Sequence, residues 1–161
     1  MKLFTKILIA VLLLTGFGFS SPAYSQAANT NQLGIRLGSF TGITFRHINS
    51  RSTGFEADLL MNDGIEWGMV SVLFEKHLSL GQGFVFNFGG GGFFAGNYNH
   101  RYGNDNGVAL NPAAGLESVL GFEYYLPDVP LSAGVDMRPR FSVVSDPLWV
   151  WDAGIVIHYI F

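Results

Sequence analysis

Apolar and polar residues alternate along most of this chain, and the pattern is clearest in the last stretch, Ala153 to Phe161. One alternate set there is wholly apolar and consists of Ala153, Ile155, Ile157, Tyr159 and Phe161. The other set contains Gly154 and His158 among aliphatic residues. A period of two predicts a β-strand with two unlike faces.

The same period recurs in seven earlier segments that are separated by turn-forming residues. Turns are predicted at Ser39–Gly42, Asn49–Thr53, Asn62–Gly64, Leu80–Gly83, Pro127–Pro130 and from Ser145, with a longer loop at Asn97–Pro112. Strands of roughly 10 to 12 residues with mostly short connections predict an all-β, eight-stranded antiparallel up-and-down barrel. In the fourth segment Trp67 and Met69 fall on the polar side, which predicts either a β-bulge or side chains that fill one end of the barrel.

The first residues have the order of a secretory signal peptide. Two lysines lie within Met1–Lys6, an apolar run covers Ile7–Leu14, and Ala23-Tyr24-Ser25 is a small-x-small site. We expect cleavage after Ser25, so that residues 1–25 are the signal peptide and 26–161 form one barrel domain. Beyond this leader, no apolar run reaches the roughly 18 residues that a membrane helix needs.

Charge and composition then narrow the class of protein. Without the leader, seven basic and 12 acidic residues remain, a formal charge of −5, and Lys76 is the one lysine left. An acidic chain of this kind is not predicted to bind nucleic acid. Cysteine is absent, so no disulfide framework is expected.

The polar alternate set contains charged residues of both signs. They are Arg36, Arg46, Glu56, Asp58, Glu75, Glu123, Asp136, Arg138, Arg140 and Asp152. An arginine that faces lipid near the bilayer midplane costs roughly 2–4 kcal/mol, so in a membrane barrel the four arginines must face inward. The polar set therefore predicts an ion-paired lumen, because eight strands leave an interior only wide enough for side chains.

The leader, the eight alternating segments and the terminal Phe161 together resemble the small eight-stranded outer-membrane β-barrels of Gram-negative bacteria. The resemblance implies a transmembrane barrel in the outer membrane, with both mature termini in the periplasm. It implies outer-membrane lipid and the barrel-assembly machinery as partners. It also implies that Ile155, Ile157, Tyr159 and Phe161 are the C-terminal insertion signal.

The Asn97–Pro112 loop would then face outside the cell and is the candidate recognition site. Its candidate residues are Asn97, Tyr98, His100, Arg101, Tyr102 and Asp105. It lacks the spacing of a calcium loop, and no cofactor or metal is predicted. Gly89–Gly92 lacks the Lys-Ser/Thr of a phosphate loop, so these glycines are expected to relieve crowding or allow a bend.

The expected role is structural or interactive, without conduction and without enzymatic activity. Two alternatives stay open. A secreted lipocalin-like barrel would have the same alternation turned inside out and would bind a small apolar ligand. An acyl-lipid-modifying enzyme would need a converging Ser, His and acid, and the candidates are His47, His77, His158, Ser71, Ser118, Glu75 and Glu117.

Most of the aromatic residues are expected to contact lipid, namely Trp149, Trp151, Tyr124, Tyr159 and the Phe set of strand five. Tyr125 and Trp67 could instead point into the lumen.

Overall fold

A computed structural model describes residues 29–62, 67–99, 109–144 and 149–161, which form eight β-strands that close into one barrel. The strands are β1 (Thr30–Gly38), β2 (Phe40–Ile48), β3 (Thr53–Asn62), β4 (Trp67–Gly81), β5 (Phe84–Asn99), β6 (Ala109–Tyr125), β7 (Leu131–Ser142) and β8 (Trp149–Ile160). Each pairs antiparallel with the next, and β1 pairs with β8. The predicted eight-stranded up-and-down barrel is confirmed, while the predicted signal peptide lies outside the described residues. Within these ranges, no helix is long and apolar enough to cross a bilayer.

The two ends of the barrel differ in what they carry. The end called proximal here holds the strand ends Thr30 and Ile160, together with the connections at 49–52, 82–83 and 126–130. The opposite end, called distal, includes Ser39, which alone joins β1 to β2. The turn predicted at Ser39–Gly42 is therefore shorter than expected, because Phe40 already pairs with Asn62 on β3.

The two faces of each strand have opposite environments. On β8, Ile155 and Ile157 are 54% and 36% exposed, whereas the intervening Val156 and the following His158 are buried. Pairing keeps the faces in register, since Ile35 of β1 lies opposite Ile157 and the inward Gly34 lies opposite His158. Apolar side chains therefore cover the outside, and most of the buried side chains are polar or charged.

Three consecutive strands are longer than the 10 to 12 residues predicted. β4, β5 and β6 have 15, 16 and 17 residues. Asn97 and Tyr98 belong to β5, and Pro112 of β6 pairs with Gly96, so the predicted Asn97–Pro112 loop is too long at both sides. Gly and Asn lower strand propensity, but pairing in a hairpin satisfies the backbone of both strands here. The other four candidate loop residues (His100, Arg101, Tyr102 and Asp105) lie outside the described residues.

The ambiguous start of β4 is settled by its register. β4 pairs with β5 without interruption from Trp67 to Ser79, and the bulge lies between Ser79 and Gly81 instead. Met69 is 2% exposed and fills the interior near the distal end. Of the two sequence-based interpretations of this position, lumen filling is correct for Met69.

Candidate functional site

The ten charged residues predicted to form a lumen network all lie at inward positions. None of them is more than 6% exposed. They come from seven strands: Arg36 from β1, Arg46 from β2, Glu56 and Asp58 from β3, Glu75 from β4, Glu123 from β6, Asp136, Arg138 and Arg140 from β7, and Asp152 from β8. An alternation of period two brings residues that are distant in the sequence into one narrow interior.

Arg138 lies at the centre of the network. Its Nη2 is 2.5 Å from Glu56 Oε1, its Nη1 is 2.5 Å from Asp58 Oδ2, and its Nε donates to Asp136 Oδ2 at 2.7 Å. Charge-assisted contacts of this kind are stronger than neutral hydrogen bonds. One guanidinium therefore neutralises carboxylates from both β3 and β7.

A second group of ion pairs lies toward the distal end. Arg36 contacts Asp136 at 2.8 Å and Asp152 at 2.7 Å, and Arg140 reaches the same Asp152 oxygen at 3.1 Å. Arg140 Nε also donates to Glu117 Oε1 at 2.9 Å. Glu117 was missing from the predicted network, although it lies on the same face of its strand as Glu123. That shared parity was the signal that could have identified it.

A third group lies toward the proximal end around Arg46. Its Nη1 is 2.6 Å from Glu123 Oε1, its Nη2 is 2.5 Å from Glu56 Oε2, and its Nε is 3.4 Å from Glu75 Oε2. Glu56 contacts both Arg46 and Arg138, so it links this group to the central one. The ion pairs form one connected network along the barrel axis.

Acidic residues outnumber arginines inside the barrel. With Glu117 included, seven carboxylates and four guanidiniums are buried there. Within the described part of the chain, three of the carboxylates have an oxygen without a hydrogen-bond partner: Asp58 Oδ1, Glu75 Oε1 and Glu117 Oε2. Loss of one guanidinium is therefore expected to cost more stability than loss of one negative charge, because an unpaired buried charge is strongly unfavourable.

Glycines on the inner wall make room for these large side chains. A Cβ on Gly154 would lie 2.8 Å from Arg36 Cζ. A Cβ on Gly134 would meet both the Glu123 side chain and the backbone oxygen of Phe122, and one on Gly91 of β5 would collide with the backbone oxygen of Val72 on β4. The sequence-based interpretation of Gly89–Gly92 as relief of crowding therefore agrees with the geometry at Gly91.

An apolar cluster fills the distal end of the lumen. Leu60, Met69, Ala95 and Ala113 are buried together, with Phe40 and Phe93 packed against them. The guanidinium of Arg140 lies 5.0 Å from the centre of the Phe40 ring, a cation–π contact. Toward the proximal end, Gln32 Nε2 donates to the hydroxyl of Tyr125 at 3.0 Å. Tyr125 therefore points into the lumen, which is one of the two orientations that the sequence allowed.

The residues considered for acyl-lipid chemistry do not converge on an open site. Ser71 donates to Asp58 at 2.8 Å inside the lumen, and Ser118 faces outward. His77 Nε2 lies 3.2 Å from Glu75 Oε2, but both side chains are buried.

A triad-like chain does exist around His158, one of the candidate histidines, but its neighbours Thr44 and Glu123 were not among the candidates. Thr44 Oγ1 is 3.0 Å from His158 Nε2, and His158 Nδ1 is 3.6 Å from Glu123 Oε2. Hydroxyl, imidazole and carboxylate follow the order used in acyl transfer. All three are at most 1% exposed, so a substrate cannot reach them, and His158 Nδ1 is too far from Glu123 for a hydrogen bond.

The predicted insertion signal lies on the outer face of β8 and just beyond it. Ile155, Ile157 and Phe161 are 54%, 36% and 59% exposed, and the Tyr159 and Phe161 rings stack at 6.2 Å. Phe161 also exchanges two backbone hydrogen bonds with Asn31, at 3.0 and 2.9 Å. The last residue is thus tied to the first strand, while its side chain remains on the outside.

Aromatic side chains mark both ends of the apolar outer face. Trp149 and Trp151 are 63% and 64% exposed near the distal end of β8. Near the proximal end the Phe84 ring packs 4.7 Å from Tyr124, and both rings are partly exposed. Exposed rings also lie between the two ends, as at Phe74 in the middle of β4, so aromatic side chains occur along the whole outer face.

Comparisons with known proteins and a search for metal-ligand groups give no further assignment. No protein-family model matches the chain, and a search of curated proteins gives no match either. Among the described residues, no group of three or more His, Cys, Asp or Glu side chains could hold a metal ion. The arrangement of the barrel itself is therefore the basis for a functional proposal.

Proposed function

We propose that the protein is a small transmembrane β-barrel of the bacterial outer membrane with a structural or interaction role and without a conducting pore. One observation carries the proposal, namely the orientation of the two faces. Arg36, Arg46, Arg138 and Arg140 are inside and at most 3% exposed, while residues such as Phe74 and Leu116 are 69% and 65% exposed. An outer surface of this kind matches hydrocarbon, and monomeric soluble proteins rarely expose large continuous apolar patches.

The orientation also weakens the lipocalin-like alternative. A soluble barrel that binds an apolar ligand needs an apolar cavity and a polar exterior. In the described part of the chain the central interior is occupied by ion pairs such as Arg138–Glu56 and Arg46–Glu123. An apolar ligand in this position would meet charged side chains instead of the apolar side chains that it needs.

The filled lumen supports the proposal that the barrel does not conduct ions. The ionic network joins opposite walls, and Phe40, Leu60 and Met69 pack together at the distal end. Eight strands give an interior that side chains can fill completely. We therefore expect the buried side chains to block an ion path through the barrel.

The proposed location and topology rest on the predicted signal peptide, the outward residues of β8 and the positions of the strand ends. The predicted signal peptide at 1–25 would direct export, and the outward Ile157, Tyr159 and Phe161 fit the insertion signal that the barrel-assembly machinery would read. Both strand ends, Thr30 and Ile160, lie at the proximal end, which would face the periplasm. Interaction with an external partner would then fall to the distal end.

Fractionation of a Gram-negative host that expresses the full chain tests the proposal. We expect the mature protein in the outer-membrane fraction, with faster gel mobility before heating than after heating because a closed barrel stays compact in detergent. In planar bilayers the purified protein should give no steady ion current. Recovery of the folded mature chain from the periplasm without detergent would overturn the membrane assignment, and stable channel currents would overturn the non-conducting one.

A further inference from the structure

The exterior cations of the described chain lie together. Six basic side chains are described, and Arg36, Arg46, Arg138 and Arg140 occupy the lumen. The other two are Arg51, exposed in the turn between β2 and β3, and Lys76, which points outward from β4. Lys76 Nζ donates to the backbone oxygen of Arg51 at 2.5 Å, so the Lys76 ammonium lies against the proximal turn that carries Arg51.

The turn that carries Arg51 is held by one side chain. Asn49 Oδ1 accepts hydrogen bonds from the backbone N–H of Arg51 at 2.9 Å, the backbone N–H of Thr53 at 3.1 Å and the Thr53 hydroxyl at 2.9 Å. Asn side chains stabilise turns in this way. The Arg51 carbonyl is therefore fixed, and it holds the Lys76 ammonium near the rim while two of its three N–H groups remain available.

No acidic partner faces these two cations. Among the described residues, no carboxylate lies within salt-bridge distance of Arg51 or Lys76, and Asp128 is the only acidic side chain outside the lumen. Asp128 belongs to the connection between β6 and β7, elsewhere on the same rim. The pair therefore presents uncompensated positive charge to the exterior.

Apolar rings follow Lys76 along the outer face, one step further from the rim. Lys76 is opposite Thr53 in the register, and one step further from the rim Phe74 is opposite Phe55. Phe74 is 69% exposed and Phe55 is 37% exposed. A ligand that satisfies both features carries an anionic head at the rim and an apolar tail along the barrel wall.

We propose that Arg51 and Lys76 form a binding site for the phosphate headgroup of an anionic membrane lipid, whose acyl chains lie on Phe55 and Phe74. The inference rests on the proposed membrane function and adds a specific lipid class to it. Basic residues at a membrane surface attract anionic lipid, and long basic side chains extend toward the headgroups while their stems cover apolar surface. The effect expected is about fivefold in affinity for each cation and about 25-fold for both.

Native mass spectrometry of the folded barrel in detergent tests this site. The probes are dioleoyl phosphatidylglycerol, dioleoyl phosphatidylcholine with the same chains but no net charge, and inorganic phosphate. The wild-type protein should bind phosphatidylglycerol about 25-fold more tightly than phosphatidylcholine. The double variant R51Q/K76Q should bind the two lipids equally, whereas D128N, which removes a charge from the same rim, should keep the preference.

The outcomes separate this inference from the function on which it rests. An unchanged preference for phosphatidylglycerol in R51Q/K76Q, or equal binding of both lipids by the wild type, would overturn the site while leaving a folded membrane barrel. Binding of inorganic phosphate that matches the lipid in affinity would overturn the lipid as the ligand. A protein that needs no detergent would instead defeat the membrane function itself.

Discussion

Arg138 on β7 and Glu56 on β3 meet inside the barrel, with 2.5 Å between Arg138 Nη2 and Glu56 Oε1. Their strands lie four positions apart in a closed ring of eight, so this ion pair joins opposite walls. A pair of this kind is inaccessible to water, and its strength depends on both partners being present. This ion pair therefore connects two opposite walls of the barrel from the inside.

Replacement of Arg138 by methionine is expected to destabilise the barrel strongly. The Arg138→Met variant leaves Glu56, Asp58 and Asp136 without their shared cation, and breaking a buried pair costs about 3–5 kcal/mol. Urea unfolding in detergent micelles, followed by heat-sensitive gel mobility, measures the change. Glu117→Gln is the matched comparison, because it removes one of the seven buried negative charges while the amide oxygen can still accept a hydrogen bond from Arg140, and it should lower the free energy of unfolding by less than Arg138→Met does. Equal losses in the two variants would contradict the proposed charge imbalance.

A charge placed on the outer face should be penalised according to its depth. Val135 is 55% exposed in the middle of β7, and Leu80 is 60% exposed near the proximal end of β4. In lipid bilayers Val135→Arg should lower the free energy of unfolding by about 2–4 kcal/mol, and Leu80→Arg by about 1 kcal/mol or less. Reversible unfolding in lipid vesicles measures both. If neither substitution had an effect, the apolar face would not be in hydrocarbon.

The inner-wall glycines give a steric test of the lumen. In Gly154→Ala the new methyl group would lie 2.8 Å from Arg36 Cζ and force the guanidinium away from Asp136 and Asp152. Overpacking of this kind costs about 1–3 kcal/mol. Gly68→Ala is the control, since nothing lies within 4 Å of its Cβ position, and it should leave the stability unchanged or slightly higher. Urea unfolding in micelles distinguishes them, and equal effects would argue against close packing around Arg36.

Much of the barrel could be predicted from the alternation alone. In β8 the period of two separates Ile155 and Ile157 from His158, and the structure places the first two outside and the third inside. The same parity brought all ten predicted charged residues into the interior. Alternation is informative here because each strand has one polar and one apolar face, so a register error would reverse both.

Other features depend on contacts that a single strand does not reveal. The length of β5 up to Asn99 depends on its pairing with β6, and the position of the bulge at Ser79–Gly81 depends on the β4–β5 register. The choice of partners in the network depends on which strands face each other across the lumen. Sequence alone indicated that Arg138 needed an acid, but only closure of the ring selects Glu56 and Asp58 on the far wall.

Substitution of Phe161 can test the assembly of the barrel separately from the stability of the folded barrel. The Phe161 side chain is 59% exposed and contacts only the Tyr159 ring among the ring contacts of the described residues, whereas its backbone holds Asn31 through two hydrogen bonds. Phe161→Ser keeps those backbone bonds, so the stability of the folded barrel in micelles should fall by less than about 1 kcal/mol. In cells, however, the variant should accumulate less folded protein in the outer membrane if the terminal aromatic residue is part of the insertion signal, and Phe161→Tyr should restore it. Quantitative gel mobility of membrane fractions measures the folded yield. Normal yield of Phe161→Ser, or a loss of stability in micelles large enough to explain a low yield, would contradict a role in assembly.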